Sequence, residues 1–129
     1  MKEALFYKKL ENQKVKCELC HQFCQISPNQ RGICGVRENQ NGVLKTLVYG
    51  KVIAVHIDPI EKKPFYHFLP NSKTFSIATV GCNFHCANCQ NADISQATKN
   101  YNKNTEIPGH DLNPEKTVAL AVESTCPSI

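Results

Sequence analysis

Tryptophan is absent from this 129-residue chain, and methionine occurs once. Also missing is any apolar run long enough to span a membrane, so no membrane partner is expected. The opening residues, Met1 to Lys9, lack the apolar core of a secretory leader. Neither sign of charge dominates: 15 Lys and Arg against 11 Asp and Glu leave a net charge of +4. Lys8-Lys9 and Lys62-Lys63 are short pairs rather than a basic stripe interleaved with aromatics, so nucleic-acid binding is not expected. With 41% hydrophobic and 20% charged residues, the composition excludes a disordered chain. The length suits one domain with a moderate core.

What the chain has in abundance is cysteine, eight in all. An even count fits a disulfide-stapled secreted domain. Without an export signal the thiols are expected to stay reduced, in a cytoplasmic protein, and clustered cysteines then read as metal ligands.

Seven of the eight fall into two groups. The first is Cys17, Cys20, Cys24 and Cys34, spaced C-x2-C-x3-C-x9-C among the turn residues Pro28, Gly32 and Gly35. A C-x2-C pair can present two thiolates to one ion across a tight turn, and four thiolates close a tetrahedral site. Zinc and an auxiliary iron–sulfur cluster both fit this set, and His21 is an alternative ligand. Four reduced cysteines without metal is the plainer alternative. The second group is Cys82, Cys86 and Cys89, spaced C-x3-C-x2-C. Three ligands are too few for a closed zinc site but suit an iron–sulfur cluster with one iron open to an outside ligand. The eighth cysteine, Cys126, belongs to neither spacing and reads as a buried free thiol.

Between and around these groups the pattern is that of an α/β chain. Glu3 to Leu10 is expected to form a short helix with a loose apolar side. Asn41-Gly42 is a hairpin-turn signal, with strands expected from Val43 to Val48 and from Lys51 to Ile57. Asp58 to Asn71 is a connector punctuated by Pro59, Pro64 and Pro70. Its aromatic run, Phe65 to Leu69, is expected to pack the two halves of the chain together, with a substrate or partner surface as the alternative. His56 and His67 carry no assigned role. Thr74 to Val80 reads as a strand covered on both faces, and Gly81 allows a sharp turn that aims Cys82 off its end. Gln96 to Asp111 is polar and reads as an exposed loop that includes His110. Asn113-Pro114-Glu115 is a helix start, a capping side chain followed by proline at the first helical position. Val118, Ala119, Ala121 and Val122 are its expected apolar face, to about Glu123. The closing residues, Cys126 to Ile129, resemble the opening of a further strand, so the chain is expected to be an N-terminal fragment. The expected division is 1–72, a cysteine-rich loop and hairpin module, and 73–129, the first strand–loop–helix unit of a truncated (β/α) barrel.

The stretch Val80-Gly81-Cys82-Asn83-Phe84-His85-Cys86-Ala87-Asn88-Cys89-Gln90-Asn91 resembles the cluster loop of radical S-adenosylmethionine (radical SAM) enzymes. Within that superfamily the chain is similar to the branch of the pyruvate formate-lyase activating enzymes, and most to the radical SAM enzymes of the AmmeMemoRadiSam system. Arg31 to Arg37, Asp58 to Pro64, Tyr66 to Pro70 and Ile94-Ser95-Gln96 carry the closer likeness, which runs from about Cys17 to Ile129. Two positions depart from the pattern: Asn88, often aromatic in the superfamily, and Ala92, often tryptophan in the near relatives.

The resemblance implies a partial radical SAM barrel and a [4Fe–4S] cluster on Cys82, Cys86 and Cys89. It implies that S-adenosylmethionine chelates the open iron through its amino and carboxylate groups. One-electron reduction would cleave the sulfonium to methionine and a 5′-deoxyadenosyl radical, which abstracts hydrogen from a substrate. An electron donor such as flavodoxin or ferredoxin is implied as a partner. The substrate, a protein among the possibilities, is not named by any residue. The contrasting expectation is a non-catalytic zinc-binding or interaction module.

Overall fold

The computed structural model describes residues 1–99 and 106–129. Its strands in chain order are β1 (Lys2–Glu3), β2 (Tyr7–Lys9), β3 (Val15–Cys17), β4 (Gln25–Ile26), β5 (Arg37–Gln40), β6 (Val43–Thr46), β7 (Lys51–Val52), β8 (Ala54–Pro59), β9 (Lys73–Ala78) and β10 (His110–Asp111). Its α-helices are α1 (Ala92–Ser95) and α2 (Pro114–Glu123), so small sheets outweigh helix. The chain divides into two compact units: Met1–Tyr49 with Val80–Pro108, and Gly50–Thr79 with Gly109–Ile129. The expected boundary at 72/73 therefore falls inside the second unit, because β8 and β9 on either side of it pair with each other.

In the first unit two small antiparallel sheets carry the order β2-β3-β4 and β1-β6-β5. The expected helix from Glu3 to Leu10 is instead β1 and β2, because Tyr7–Lys9 pairs with Val15–Cys17 and Lys2–Glu3 with Lys45–Thr46. Long-range pairing overrides a weak local pattern here; Leu5, Phe6 and Leu10 remain exposed. Asn41-Gly42 does make the β5–β6 turn, with positive φ at both residues (52° and 85°), as a tight hairpin of this type requires. Ala4, Val15, Cys17, Ile26 and Leu44 form the core, with Tyr7 and Cys24 packed against it. Beside that core Asn39 is fully buried and fully bonded. Its Nδ2 donates to Gln13 O and Ile26 O, and its Oδ1 accepts from Gly42 N–H, each at 2.8 Å.

In the second unit β8 pairs antiparallel with β9 along six residues, Ala54↔Ala78 to Pro59↔Lys73, and β7 pairs with β10. Asp58 thus belongs to β8 rather than to the connector. Its carboxylate takes hydrogen bonds from Lys62 (2.8 Å) and Lys63 (3.1 Å). Those bonds, Lys62 first, hold it well below the usual carboxylate range. Phe65, Tyr66 and Phe68 are more than half exposed, which does not fit the expected packing role. Helix α2 begins as expected: Asn113 Oδ1 accepts from Lys116 N–H at 2.8 Å and Pro114 takes the first turn. Its buried face differs, however. Thr117 and Ala121 are inside, the latter with Phe75 and Cys126, while Val118 and Val122 are exposed. Cys126 is the buried free thiol expected of it. After α2, Ser128 bridges Thr74 of β9 in parallel, and Phe75 N–H donates to Ser128 O at 2.9 Å. Strand β9 is not covered on both faces, since Ile77 is 42% exposed.

Candidate metal centre

Both cysteine groups lie in the first unit. None of the eight cysteines is paired in a disulfide.

The three-cysteine loop begins at Gly81. Its φ is +92°, and a Cβ there would meet Val36 Cγ1 at 2.6 Å and Cys34 O at 2.7 Å. Glycine is thus required twice over, by conformation and by space. Gly81 N–H donates to Ile94 O (3.2 Å), closing the loop against α1. Between them the backbone has no helix or strand. Polar side chains hold it instead. Gln22 Nε2 donates to Asn83 O (3.1 Å), Gln96 Nε2 to Phe84 O (3.3 Å), and Lys99 Nζ also to Phe84 O. Cys86 is exposed, and Cys82 and Cys89 are half-buried. Phe84 N–H points at Cys82 Sγ (3.4 Å), and Cys89 Sγ lies 3.2 Å from Ser95 Oγ. Both contacts place donors where a thiolate gains most from them.

The four-cysteine group is built differently. Cys17 ends β3 and is buried; Cys20 and Cys24 follow on the β3–β4 turn, which is closed by Cys17 N–H to Cys24 O (2.9 Å) and Phe23 N–H to Cys20 O (3.1 Å). Cys34 sits on a second turn, closed by Gly35 N–H to Gly32 O (2.8 Å) and Gly32 N–H to Arg37 O (2.9 Å). Burial raises the Cys34 thiol pKa; the backbone N–H groups of Val36 and Arg37 act against that shift, and nearby Cys17 and Cys24 add to it. His21 is exposed and stacks edge-on with Phe23, at 5.9 Å between ring centres, which leaves it outside this set.

The segment Cys34–Val36 is common ground for the two groups. Gly81 packs against it, and Thr98 Oγ1 donates to Cys34 O at 3.0 Å. Among the described residues no three His, Cys, Asp or Glu side chains are gathered closely enough to hold a metal ion. The donor chemistry nonetheless fits metal–thiolate binding, with three free thiols on one irregular loop and four across two tight turns. His56, His67 and His110 are exposed, and none joins a cysteine group. The expected loop from Gln96 to Asp111 lies partly outside the described residues; within it Thr98 and Ile107 are buried and His110–Asp111 pairs as β10, so it is not an exposed loop throughout.

Sequence reasoning assigned no role to Gln22, Thr98, Lys99 or the side chain of Arg37. Arg37, Ser95 and Gln96 lie within stretches that carry the family likeness, which is the one signal that pointed near them. No helix among the described residues is long and apolar enough to cross a membrane. In comparisons with known proteins, no family model and no solved structure matches the chain. An uncharacterized protein of Methanocaldococcus jannaschii is 47% identical over all 129 residues, and the chain spans 37% of that protein's length.

Proposed function

We propose that the chain is the N-terminal part of a radical SAM enzyme, with Cys82, Cys86 and Cys89 as ligands of a [4Fe–4S] cluster. The observation that carries this reading is the loop itself. Three free thiols follow a glycine whose positive φ and close neighbours disfavour any side chain, on a stretch free of helix and strand between β9 and α1. The parallel bridge from Thr74 to Ser128 adds support. It sets Ser128, after α2, beside β9 in parallel, the pairing direction that a strand–helix–strand crossover would need.

Bound there, the cluster supplies one-electron cleavage of S-adenosylmethionine; the hard chemistry belongs to the cofactor. The residues of this chain supply ligation and shape. Gly81 sets the direction of Cys82. Phe84 N–H and Ser95 Oγ–H stabilise thiolate sulfur at Cys82 and Cys89. Lys99 and Gln96 fix the carbonyl of Phe84 and with it the span between the first two ligands. The exposure of Cys86 leaves the loop open to a small-molecule ligand. Asn88 stands where an aromatic residue would pack near adenine, so that contact falls to other residues of the longer protein. Cys17, Cys20, Cys24 and Cys34 take a second metal, zinc or an auxiliary cluster. The substrate class is open, and an external one-electron donor is required.

Anaerobic reconstitution with iron and sulfide tests the reading. The wild-type chain is expected to take up a cluster whose spectrum changes when S-adenosylmethionine is added. The triple variant Cys82→Ala/Cys86→Ala/Cys89→Ala should lose that cluster and that response. Zinc in both cysteine groups, with no iron uptake, would overturn it.

A further inference from the structure

We propose that the groove between the 60–68 segment and β9 binds a small aromatic carboxylate. The site lies wholly in the second unit and stands independently of the cluster reading. The starting observation is the aromatic run that the metal chemistry leaves unused. Phe65 and Phe68 are each 55% exposed and meet edge to face, with ring centres 6.3 Å apart. Tyr66 and Leu69 beside them are exposed as well. Large side chains left uncovered in one place mark a binding surface more often than an accident of folding.

The run is held in place by its base. Ile60 is buried, and its N–H donates to Ser72 O at 2.9 Å. Lys63 N–H donates to Ile60 O (3.0 Å) and Ser72 N–H to Leu69 O (3.1 Å). Glu61 Oε1 accepts from Asn71 N–H at 2.6 Å, which ties the start of the segment to its end. A segment fixed at both ends presents its rings with little further ordering to be done on binding.

The rings form part of the wall of a cavity of about 830 Å³, a volume within the range of small-molecule sites. Ile60, Ile77 and Ile129 supply more of its apolar lining, and Lys62 and Lys63 its charge. Among the described residues no Asp or Glu lines it. Asp58 holds both lysines, but it is 8% exposed and lies outside the lining. One carboxylate against two ammonium groups leaves a positive excess on the cavity side. An apolar wall with charge of a single sign suits an apolar body that carries one anionic group. The edge-to-face ring pair favours an aromatic body over an alkyl chain, because a third ring can add to it in the same geometry.

Titration of the full chain with 2-naphthoate, followed by amide NMR, tests this. Saturable shifts are expected in roughly the millimolar range, as for a ligand of this size, confined to residues 60–68, 74–77 and 128–129. The neutral ring 2-naphthalenemethanol should bind about 2- to 5-fold more weakly, the worth of one exposed charge pair. Octanoate, which has the charge without the ring, should bind about 10-fold more weakly. Lys62→Gln should reproduce the first loss and Phe65→Ala/Phe68→Ala the second. These are exposed positions, so the fold is expected to persist, and Val118→Ser on the exposed face of α2 should change nothing. Absence of saturable binding, or shifts centred elsewhere, would overturn the site. Equal binding of the neutral ring or of octanoate would overturn the ligand class. A dimer that Phe65→Ala/Phe68→Ala dissolves would give the groove to a second copy of the chain and overturn the proposal.

Discussion

The two cysteine groups share one compact unit and differ in almost everything else. Cys17 to Cys34 is framed by β3, β4 and β5, its first thiol buried in an aliphatic core and touched by a buried arginine. Cys82 to Cys89 has no regular structure within it, and its middle thiol is exposed. On the proposed reading the contrast is that between a four-ligand site, with no position left open, and a three-ligand one, where a position is kept for chemistry. Rigid backbone suits the first. The second would need ligands that are aimed but accessible, and the contacts of Phe84 N–H with Cys82 and of Ser95 with Cys89 suit that need.

The largest expected effect separates the groups by what their loss does. On the proposed reading that the four-cysteine group binds metal, Cys17→Ser should lower the thermal midpoint of the metal-loaded protein by roughly 10 °C or more, since such binding adds directly to folding. Cys86→Ala should leave that midpoint nearly unchanged while abolishing iron–sulfide uptake. Calorimetry beside iron and sulfide assay checks both, and equal thermal losses would erase the distinction. Next in size is Gly81→Ala. It forces an unfavourable φ and a clash with Val36 and Cys34, at a cost of about 1–3 kcal/mol, and it should reduce iron uptake at the three-cysteine loop more than metal uptake at the four-cysteine group.

Smaller effects in the second unit serve as controls that touch neither group. Asn113→Ala removes the cap of α2 and should cost about 1 kcal/mol in denaturant unfolding, with metal content unchanged. Asp58→Asn tests the sign of a charge effect. The folded carboxyl titrates below its unfolded value, so its contribution is fully present above about pH 4 and disappears as pH falls through the lower folded value. The stability gap between wild type and Asp58→Asn should therefore be widest near neutrality and close on acidification. A gap that widens in acid would reverse the assignment.

Local signals in the sequence were read correctly where they act locally. Asn113-Pro114 specifies a cap and a first turn, Asn41-Gly42 a turn that needs positive φ twice, and Gly81 a backbone turn that tolerates no side chain. Where pairing partners lie far apart in sequence, the reading failed. Tyr7–Lys9 has no strand signal of its own and becomes one by pairing with Val15–Cys17. The buried face of α2 went astray for a related reason: Ala121 meets Phe75 and Cys126, while the larger Val118 and Val122 stay outside. The seven clustered cysteines were legible by spacing alone. Arg37 was not, because nothing in a sequence announces that a guanidinium is buried against a thiol.

The central proposal is that Cys82, Cys86 and Cys89 hold a [4Fe–4S] cluster, apart from whatever metal the four-cysteine group takes. Native mass spectrometry of the anaerobically loaded chain weighs both at once. The expected species holds four irons and four sulfides that are lost in Cys82→Ala and kept in Cys34→Ser. No iron–sulfide mass in the wild-type chain, or a four-iron mass that Cys82→Ala keeps and Cys34→Ser loses, would contradict it.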